Sequence, residues 1–127
     1  MKNKCFEIVA KVSGAVKVSI YDAIDEYTFR DFRKQLDAFE NAEEIELRLN
    51  TPGGSVVDGF AIYNALIQHP ATVTAYIDGW AASMGSIIAM AADKVIMPEN
   101  SWLMIHNPWT VAMGDADDLR DMADIID

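Results

Sequence analysis

Residues 45–77 read IELRLNTPGGSVVDGFAIYNALIQHPATVTAYI, and this stretch decides the fold. Apolar and charged residues alternate over 45–49, which predicts a β-strand that ends at Asn50. After a glycine-containing loop, apolar residues recur at helical spacing, and Pro70 closes the predicted helix. This helical stripe comprises Val56, Val57, Phe60, Tyr63, Leu66 and Ile67. Alternation at 73–77 predicts a second strand. A strand, a helix and a strand joined by short loops predict an α/β fold with a largely parallel sheet and flanking helices.

The same two patterns extend to both ends of the chain. Alternation predicts strands, and apolar residues three and four positions apart predict helices. The elements expected before residue 45 are strands at 6–12 and 16–20 and a helix at 29–39 with Thr28 as its N-cap. Those expected after residue 77 are a helix at 83–92, strands at 94–97 and 102–105, and a helix that follows an Asp115 N-cap and is still running at Asp127.

Length and charge narrow the class of protein. The 127 residues suffice for one domain, and 51% of them are hydrophobic. The formal net charge of −10 argues against binding to nucleic acid or to anionic membranes. The mostly apolar run at 79–92 is shorter than a membrane span, and the first residues do not resemble a signal peptide. With Cys5 as its single cysteine, the chain is expected to be a soluble cytoplasmic protein.

One serine and one histidine are candidates for chemistry. Ser83 lies among small residues where a strand pattern changes to a helix pattern, and such a turn can expose a nucleophile. His106 follows 23 residues later and could serve as its base. The loop with Gly53 and Gly54 could offer backbone N–H groups to an oxyanion or a peptide. Each feature taken alone is also typical of ordinary packing or turn formation.

Other residues favour structural roles. His69 precedes a proline at a helix end, where a cation interacts favourably with the helix dipole. The two histidines and the cysteine are too widely spaced to suggest a metal site, and no metal or cofactor is expected. The aspartates near the end of the chain are interpreted as a solvated helix face. Trp80, Trp102 and Trp109 are interpreted as core or subunit-interface residues.

Three motifs in one order change this assessment. Residues 50–55 (NTPGGS), 81–86 (AASMGS) and 104–108 (MIHNP) together resemble the Clp protease proteolytic subunit family. The resemblance implies a crotonase-like α/β spiral fold, with residues 1–127 forming a single head domain. It also implies a homo-oligomer, assembled as rings, that hydrolyses polypeptide substrates without a cofactor.

The resemblance also assigns roles to residues. Ser83 would be the catalytic nucleophile and His106 its general base. The backbone N–H groups of Gly54 and Met84 would form the oxyanion hole. Substrate peptide would bind in extended form beside Gly53, Gly54 and Ser55.

One branch of the family matches best. Residues 58–66 (DGFAIYNAL), 106–109 (HNPW) and 114–120 (GDADDLR) resemble the head-maturation proteases of tailed phages and prophages. This branch implies scaffold and capsid precursors as partners and, in contrast to Clp-like action with an ATPase, proteolysis without ATP.

The sequence departs from the family at its end. This sequence stops within the helix that the family calls the handle helix. The third triad member of the family is an aspartate beyond that helix, so no residue here matches it. Asp78, Asp93 and Asp117 are not supported as substitutes. The 127 residues are therefore expected to be weakly active or inactive alone, since loss of that carboxylate costs about 10⁴ in turnover. Two alternatives remain: a non-catalytic assembly module and a crotonase-type acyl-CoA enzyme.

Overall fold

The computed structural model describes residues 5–26, 28–107, 109 and 112–127. Six strands form one mixed sheet in the order β1-β2-β3-β4-β5, with β6 also paired to β4. The strands are β1 Phe6–Ala10, β2 Val16–Tyr21, β3 Glu44–Thr51, β4 Thr72–Ala82, β5 Lys94–Ile96 and β6 Trp102–Met104. The helices are α1 Thr28–Asp37, α2 Val56–Gln68, α3 Met84–Ala89 and α4 Ala116–Ile126. Only β1 and β2 pair antiparallel in the described part of the chain, so the predicted α/β fold with a largely parallel sheet is confirmed.

The core lies between one face of this sheet and helices α1 to α3. Alternate residues of the three central strands are fully or nearly fully buried there, as the sequence alternation predicted. They include Val18, Ile20, Leu47, Leu49, Ala75 and Ile77. Phe32 of α1, Ile62 of α2 and Ile88 of α3 are buried against this surface. The packed core fixes β3 and β4, whose carboxyl ends carry the candidate site.

The opposite face of the sheet carries a polar network. Arg48 forms ion pairs of 3.0 Å with both Glu46 and Asp78, and Glu46 also binds Lys11 at 2.6 Å. The Tyr21 hydroxyl donates a hydrogen bond of 2.5 Å to Asp78. The hydrogen bond from Lys11, with further help from Arg48, lowers the pKa of Glu46. These side chains link neighbouring strands across the sheet.

Strand β4 is longer than predicted, and the edge that does not face β3 pairs with two different strands. Its first half pairs with β5, and its last three residues pair with Trp102–Met104 of β6. The register with β3 shifts between Leu49 and Thr51, where β4 inserts extra residues. Asn50 lies at this bulge, and its side-chain oxygen accepts a hydrogen bond of 3.4 Å from the Trp80 N–H. A bulge re-aims a strand, and here it directs the end of β4 toward α3.

Several boundaries differ from the predictions. Strand β1 ends at Ala10 rather than at residue 12, because Lys11 begins the turn that contains Gly14. Thr28 is the first residue of α1, not its N-cap. Helix α3 covers Met84–Ala89, which is shorter than the predicted 83–92.

Helix α4 begins as predicted, with a capping box in which Asp115 and Asp118 bind each other's backbone N–H groups. None of the described residues of this helix is buried. No helix in the described ranges has both the length and the apolar character needed to cross a membrane.

Candidate active site

A cavity of about 660 Å³ opens where the carboxyl ends of β3, β4 and β6 meet. It brings together five of the predicted site residues, and the sixth, Ser55, is not among its lining residues. The predicted residues that line it are Gly53, Gly54, Ser83, Met84 and His106. The remaining wall is mainly apolar and includes Val56, Phe60, Ile87 and Trp109. Residues far apart in sequence thus share one concave surface, which is the usual setting of a binding site.

Ser83 occupies a strained turn between β4 and α3. Its backbone angles are φ 55° and ψ −120°, a region that residues other than glycine rarely adopt. Although Ser83 takes the N-cap position of α3, its side chain makes no capping hydrogen bond. The hydroxyl is therefore not used to hold the helix, in contrast to most N-cap serines.

Neighbouring hydrogen bonds hold Ser83 in this conformation. Its N–H donates to the carbonyl of Met104 at 2.9 Å, which extends the β4–β6 pairing by one residue. Its own carbonyl accepts hydrogen bonds from the N–H of Ser86 at 3.0 Å and from the Ser86 hydroxyl at 2.6 Å. Strain of this kind costs about 1–3 kcal/mol and persists only where the surroundings impose it. Such residues cluster at functional sites, which supports the choice of Ser83.

Gly53 lies directly against the Ser83 turn. Its φ is +94°, which favours glycine, and a Cβ at this position would lie 2.7 Å from the Ala82 carbonyl oxygen. The same Cβ would lie 2.8 Å from the Ser83 Cβ and 3.0 Å from the Met84 nitrogen. Any side chain here would therefore press on the serine and on the N–H that follows it. Glycine allows the two segments to approach this closely.

The orientation of the peptide bond between Gly53 and Gly54 follows from hydrogen bonds to Ile24. The Gly53 carbonyl accepts from the Ile24 N–H at 2.7 Å, and the Ile24 carbonyl accepts from the Ser55 N–H at 2.8 Å. In a trans peptide the N–H points opposite to the C=O, so the Gly54 N–H points away from Ile24. No described residue accepts a hydrogen bond from it. Ser55 differs, since its N–H is already donated to Ile24 and its hydroxyl caps α2 through Asp58.

The Met84 N–H is the second unpaired donor at the cavity. Met84 is the first residue of α3, a position at which the backbone N–H has no acceptor within the helix. No other described residue accepts from it. The side chain of Met84 is only 3% exposed and packs over Gly59 of α2, so the backbone rather than the side chain is offered to the cavity.

His106 lies two residues beyond the end of β6, on the wall of the same cavity. It is exposed, and no described residue hydrogen-bonds its ring. The three aspartates considered in the sequence bind other groups. Asp78 binds Arg48 and Tyr21. Asp93 accepts from the Val73 N–H, and Asp117 binds Arg120. None of these three carboxylates forms a hydrogen bond with His106. Pro108, part of the quoted histidine motif, lies outside the described residues.

Other nucleophiles and histidines are occupied. Cys5 is buried beside the Thr28 hydroxyl, and burial raises the pKa of its thiol, which disfavours the reactive thiolate. The Ser86 hydroxyl is donated to a carbonyl, as described above. His69 donates to the Phe39 carbonyl at 3.0 Å and accepts from the Ala71 N–H at 3.0 Å. Its role is thus structural, as predicted, but it acts through these two hydrogen bonds and not as a cation at the helix dipole. In the described part of the chain, no three His, Cys, Asp or Glu side chains are grouped to hold a metal ion.

The contributions of two positions to the site were not predicted from the sequence. Ile24 orients the glycine loop, and Met104 anchors the serine turn, and both act through backbone groups. Backbone hydrogen bonds between distant segments do not depend on side-chain type. Ile24 lay outside the predicted elements, and Met104 was predicted only as part of a strand and of the histidine motif.

Comparison with known proteins identifies relatives of this chain. Relatives that match part of the chain include the chloroplastic ATP-dependent Clp protease proteolytic subunit 3 of Arabidopsis thaliana, which is 40% identical over 87 residues, or 66% of this chain and 28% of the relative. The ATP-dependent Clp protease proteolytic subunit of Ligilactobacillus salivarius is 38% identical over 94 residues, 72% of this chain and 47% of the relative. That of Bacteroides fragilis is 35% identical over 103 residues, 76% of this chain and 49% of the relative.

The matched segments span half or less of these relatives' lengths. The sequence model of the family described as Clp protease, in contrast, matches residues 1–127, the whole of this chain. The mixed α/β fold is consistent with that family. The chain belongs to the Clp protease family.

Proposed function

We propose that this chain carries the nucleophile, the general base and the oxyanion hole of a serine endopeptidase. The observation that carries the proposal is the strained Ser83 turn, which shares a cavity with His106 and with the N–H groups of Gly54 and Met84. Family membership supports the same reaction, because the relatives are named as proteolytic subunits. The predicted roles of the four residues are retained in this proposal.

The proposed reaction proceeds in two stages. His106 takes the proton of the Ser83 hydroxyl as its Oγ attacks the carbonyl carbon of a peptide bond. The N–H groups of Gly54 and Met84 stabilise the negative charge on the carbonyl oxygen. His106 then donates the proton to the leaving amine, and an acyl-enzyme remains on Ser83. Water, activated by His106, hydrolyses this ester and regenerates the serine.

Substrate binding is proposed to use the backbone of the glycine loop. Gly53 and Gly54 line the cavity, and an extended peptide beside them would gain main-chain hydrogen bonds. Ser55 was predicted to take part, but its N–H is donated to Ile24, so its contribution would be limited to fixing the start of α2.

The activity of these 127 residues alone is proposed to be weak. A serine–histidine pair needs a third group that orients the imidazole, and no described carboxylate binds His106. We also propose that α4 is the start of the handle helix and that the chain assembles as a homo-oligomeric ring. The exposed apolar residues of β5 and β6 support assembly, since Trp102 is 72% exposed.

The finer assignment remains a proposal based on sequence resemblance. Residues 58–66, 106–109 and 114–120 support a phage or prophage head-maturation protease that acts on scaffold and capsid precursors in the bacterial cytoplasm or the prohead. Its action would not require ATP. Cleavage of an unfolded protein by a purified form extended beyond Asp127, without an ATPase, would support this assignment, and strict dependence of that form on a Clp ATPase would contradict it.

Fluorophosphonate labelling followed by peptide mass mapping tests the proposed function. The expected result is a single modification at Ser83 that is lost in Ser83→Ala. The Ser86 hydroxyl, which also borders the cavity, serves as the internal control and should stay unmodified. Because the relatives are longer, the labelling should be repeated on a form extended beyond Asp127.

A second candidate is a non-catalytic assembly module, favoured by the absence of a described partner for the His106 ring. Labelling at Ser83 that appears or increases in the extended form would support the protease. No labelling of either folded form would contradict the protease and favour the module.

A further inference from the structure

Thr51 is the most completely buried polar residue beside the cavity. It is the last residue of β3, and its exposed fraction is 0%. Its hydroxyl donates a hydrogen bond of 2.6 Å to the Asp22 carbonyl and accepts one of 3.1 Å from the Gly53 N–H. One side-chain oxygen therefore joins the turn after β2 to the glycine loop.

The methyl group of Thr51 makes a separate contact. A Cβ added to Gly85 would lie 2.7 Å from the Thr51 Cγ2, so this methyl lies against the first turn of α3. Gly85 directly follows Met84, one of the two proposed oxyanion donors. Thr51 thus contacts both segments that supply those donors, one through its hydroxyl and the other through its methyl.

Thr51 and Ile24 together hold the backbone of Gly53. The Gly53 N–H is held by the Thr51 hydroxyl and the Gly53 carbonyl by the Ile24 N–H. The Asp22 N–H donates to the Asn50 carbonyl at 3.0 Å, which attaches the same turn to β3. With both of its polar groups held, Gly53 cannot rotate, and the direction of the Gly54 N–H is set. Loss of the Thr51 hydroxyl would leave the N–H of the buried Gly53 without a partner and would detach the loop from the Asp22 carbonyl.

We propose that Thr51 is a positioning residue that holds the oxyanion-hole loop in register with the Ser83 turn. This inference rests on the proposed function, since it gives the hydroxyl a task in the reaction of Ser83. It does not place Thr51 in contact with the substrate. The positioning acts through the hydroxyl and Gly53, whereas the methyl only packs against Gly85.

Two substitutions separate these contributions. Thr51→Val keeps the shape and the methyl but removes the hydroxyl, whereas Thr51→Ser keeps the hydroxyl and removes the methyl. The maximal rate of fluorophosphonate modification at Ser83 should fall about tenfold or more in Thr51→Val, since one lost hydrogen bond of about 1.4 kcal/mol corresponds to tenfold. The probe concentration for half-maximal rate should not change. Thr51→Ser should retain a rate within about threefold of the wild type, because it preserves both hydrogen bonds.

A matched control addresses stability. Ser101→Ala removes a buried hydroxyl that donates to the Pro98 carbonyl at 2.7 Å, away from the glycine loop. It should lower the melting temperature without slowing the modification of Ser83. If Thr51→Val reacts as fast as the wild type, or if Thr51→Ser is as slow as Thr51→Val, the positioning role of the hydroxyl is wrong.

Hydrogen exchange keeps this inference distinct from the proposed function. Exchange of the Gly53 and Ser55 amides should be faster in Thr51→Val than in the wild type and in Thr51→Ser, while exchange in β2 should be unchanged. If the wild-type serine reacts neither in these 127 residues nor in the form extended beyond Asp127, the proposed function fails, and exchange alone decides whether Thr51 holds the loop. Equal exchange in all three proteins would then overturn the inference.

Discussion

The N–H of Ser83 donates a 2.9 Å hydrogen bond to the carbonyl of Met104. This bond joins the proposed nucleophile to the strand that leads, two residues later, to His106. The two segments are separated by a helix, a strand and a turn in the sequence, yet β6 pairs in parallel with the end of β4. The distance between the proposed nucleophile and its base is therefore set by sheet pairing rather than by a flexible loop.

The two histidines should separate activity from stability. His106→Ala should slow the modification of Ser83 by about 10²–10⁴-fold, the usual contribution of a general base. His69→Ala should leave that rate unchanged but lower the free energy of unfolding by about 1–3 kcal/mol, because two backbone groups lose their partner. Labelling kinetics and urea denaturation of both variants provide the comparison. Equal labelling rates for wild type and His106→Ala would contradict the role of His106.

Substitution of Gly53 should disable the site through backbone geometry. Gly53→Ala places a Cβ 2.7 Å from the Ala82 carbonyl and forces φ +94° on a residue with a side chain. Displacement of one oxyanion donor costs about 10²–10³ in rate, and the labelling rate should fall by at least the lower figure. Gly14→Ala is the control, because Gly14 has a similar φ of +92° and nothing within 4 Å of its would-be Cβ. A Gly53→Ala protein that reacts normally would show that the loop does not approach the serine closely.

The ion pairs of Glu46, on the face of the sheet opposite the core, predict that part of the free energy of unfolding is lost in acid. Hydrogen bonds from Lys11 and then Arg48 lower the pKa of Glu46 below its ordinary value of 4.5. The charged form is favoured by folding, so the contribution is complete above pH 4.5 and is lost as the pH falls through the lowered pKa. It should stay below about 1 kcal/mol, because Lys11 is largely solvated.

Glu46→Gln should therefore flatten the dependence of unfolding free energy on pH below about pH 5, since the amide does not titrate. Glu43→Gln, an exposed position outside this network, is the control and should keep the wild-type slope. Urea denaturation at several pH values measures the difference. A wild-type slope in Glu46→Gln would mean that the ion pairs contribute nothing to acid sensitivity.

The exposed apolar surface predicts self-association. In β5 and β6 every residue is exposed, and Trp102 is 72% exposed. Trp102→Arg should shift the protein toward smaller species in sedimentation velocity at micromolar concentration, because a charge would have to be desolvated in the contact. Val12→Arg, on the fully exposed β1–β2 turn, should leave the distribution unchanged. A wild type that sediments as a monomer at all concentrations would contradict the proposed assembly.

Most of the fold could be predicted from periodicity. Alternation over 45–49 and 73–77 identified the buried strands, because one face of each strand is buried. The helical spacing over 56–67 identified α2 but not its buried face. Of that stripe only Leu66 is buried, and the buried face also contains Gly59, Ile62 and Ala65. The length of β4 was missed because Asp78 and Gly79 are residue types that strands disfavour. Pairing with β6 and the polar contacts of Asp78 with Tyr21 and Arg48 outweigh that local preference.

The candidate site could be predicted only in part. The motifs around Ser83 and His106 identified residues that the structure brings to one cavity. The roles of Ile24 and Thr51 were not predicted, since one acts through its backbone and the other through a hydroxyl whose partners lie on different segments. Such contacts depend on how distant segments meet, and composition or spacing carries no record of them.

A crystal structure of the fluorophosphonate adduct would test the central claim most directly. The account predicts a phosphorus–oxygen bond to the Ser83 Oγ. It also predicts an adduct oxygen about 2.7–3.1 Å from the nitrogens of both Gly54 and Met84, the range expected for oxyanion donors. An adduct on another residue, or an adduct oxygen that faces solvent while these two N–H groups remain unpaired, would contradict it.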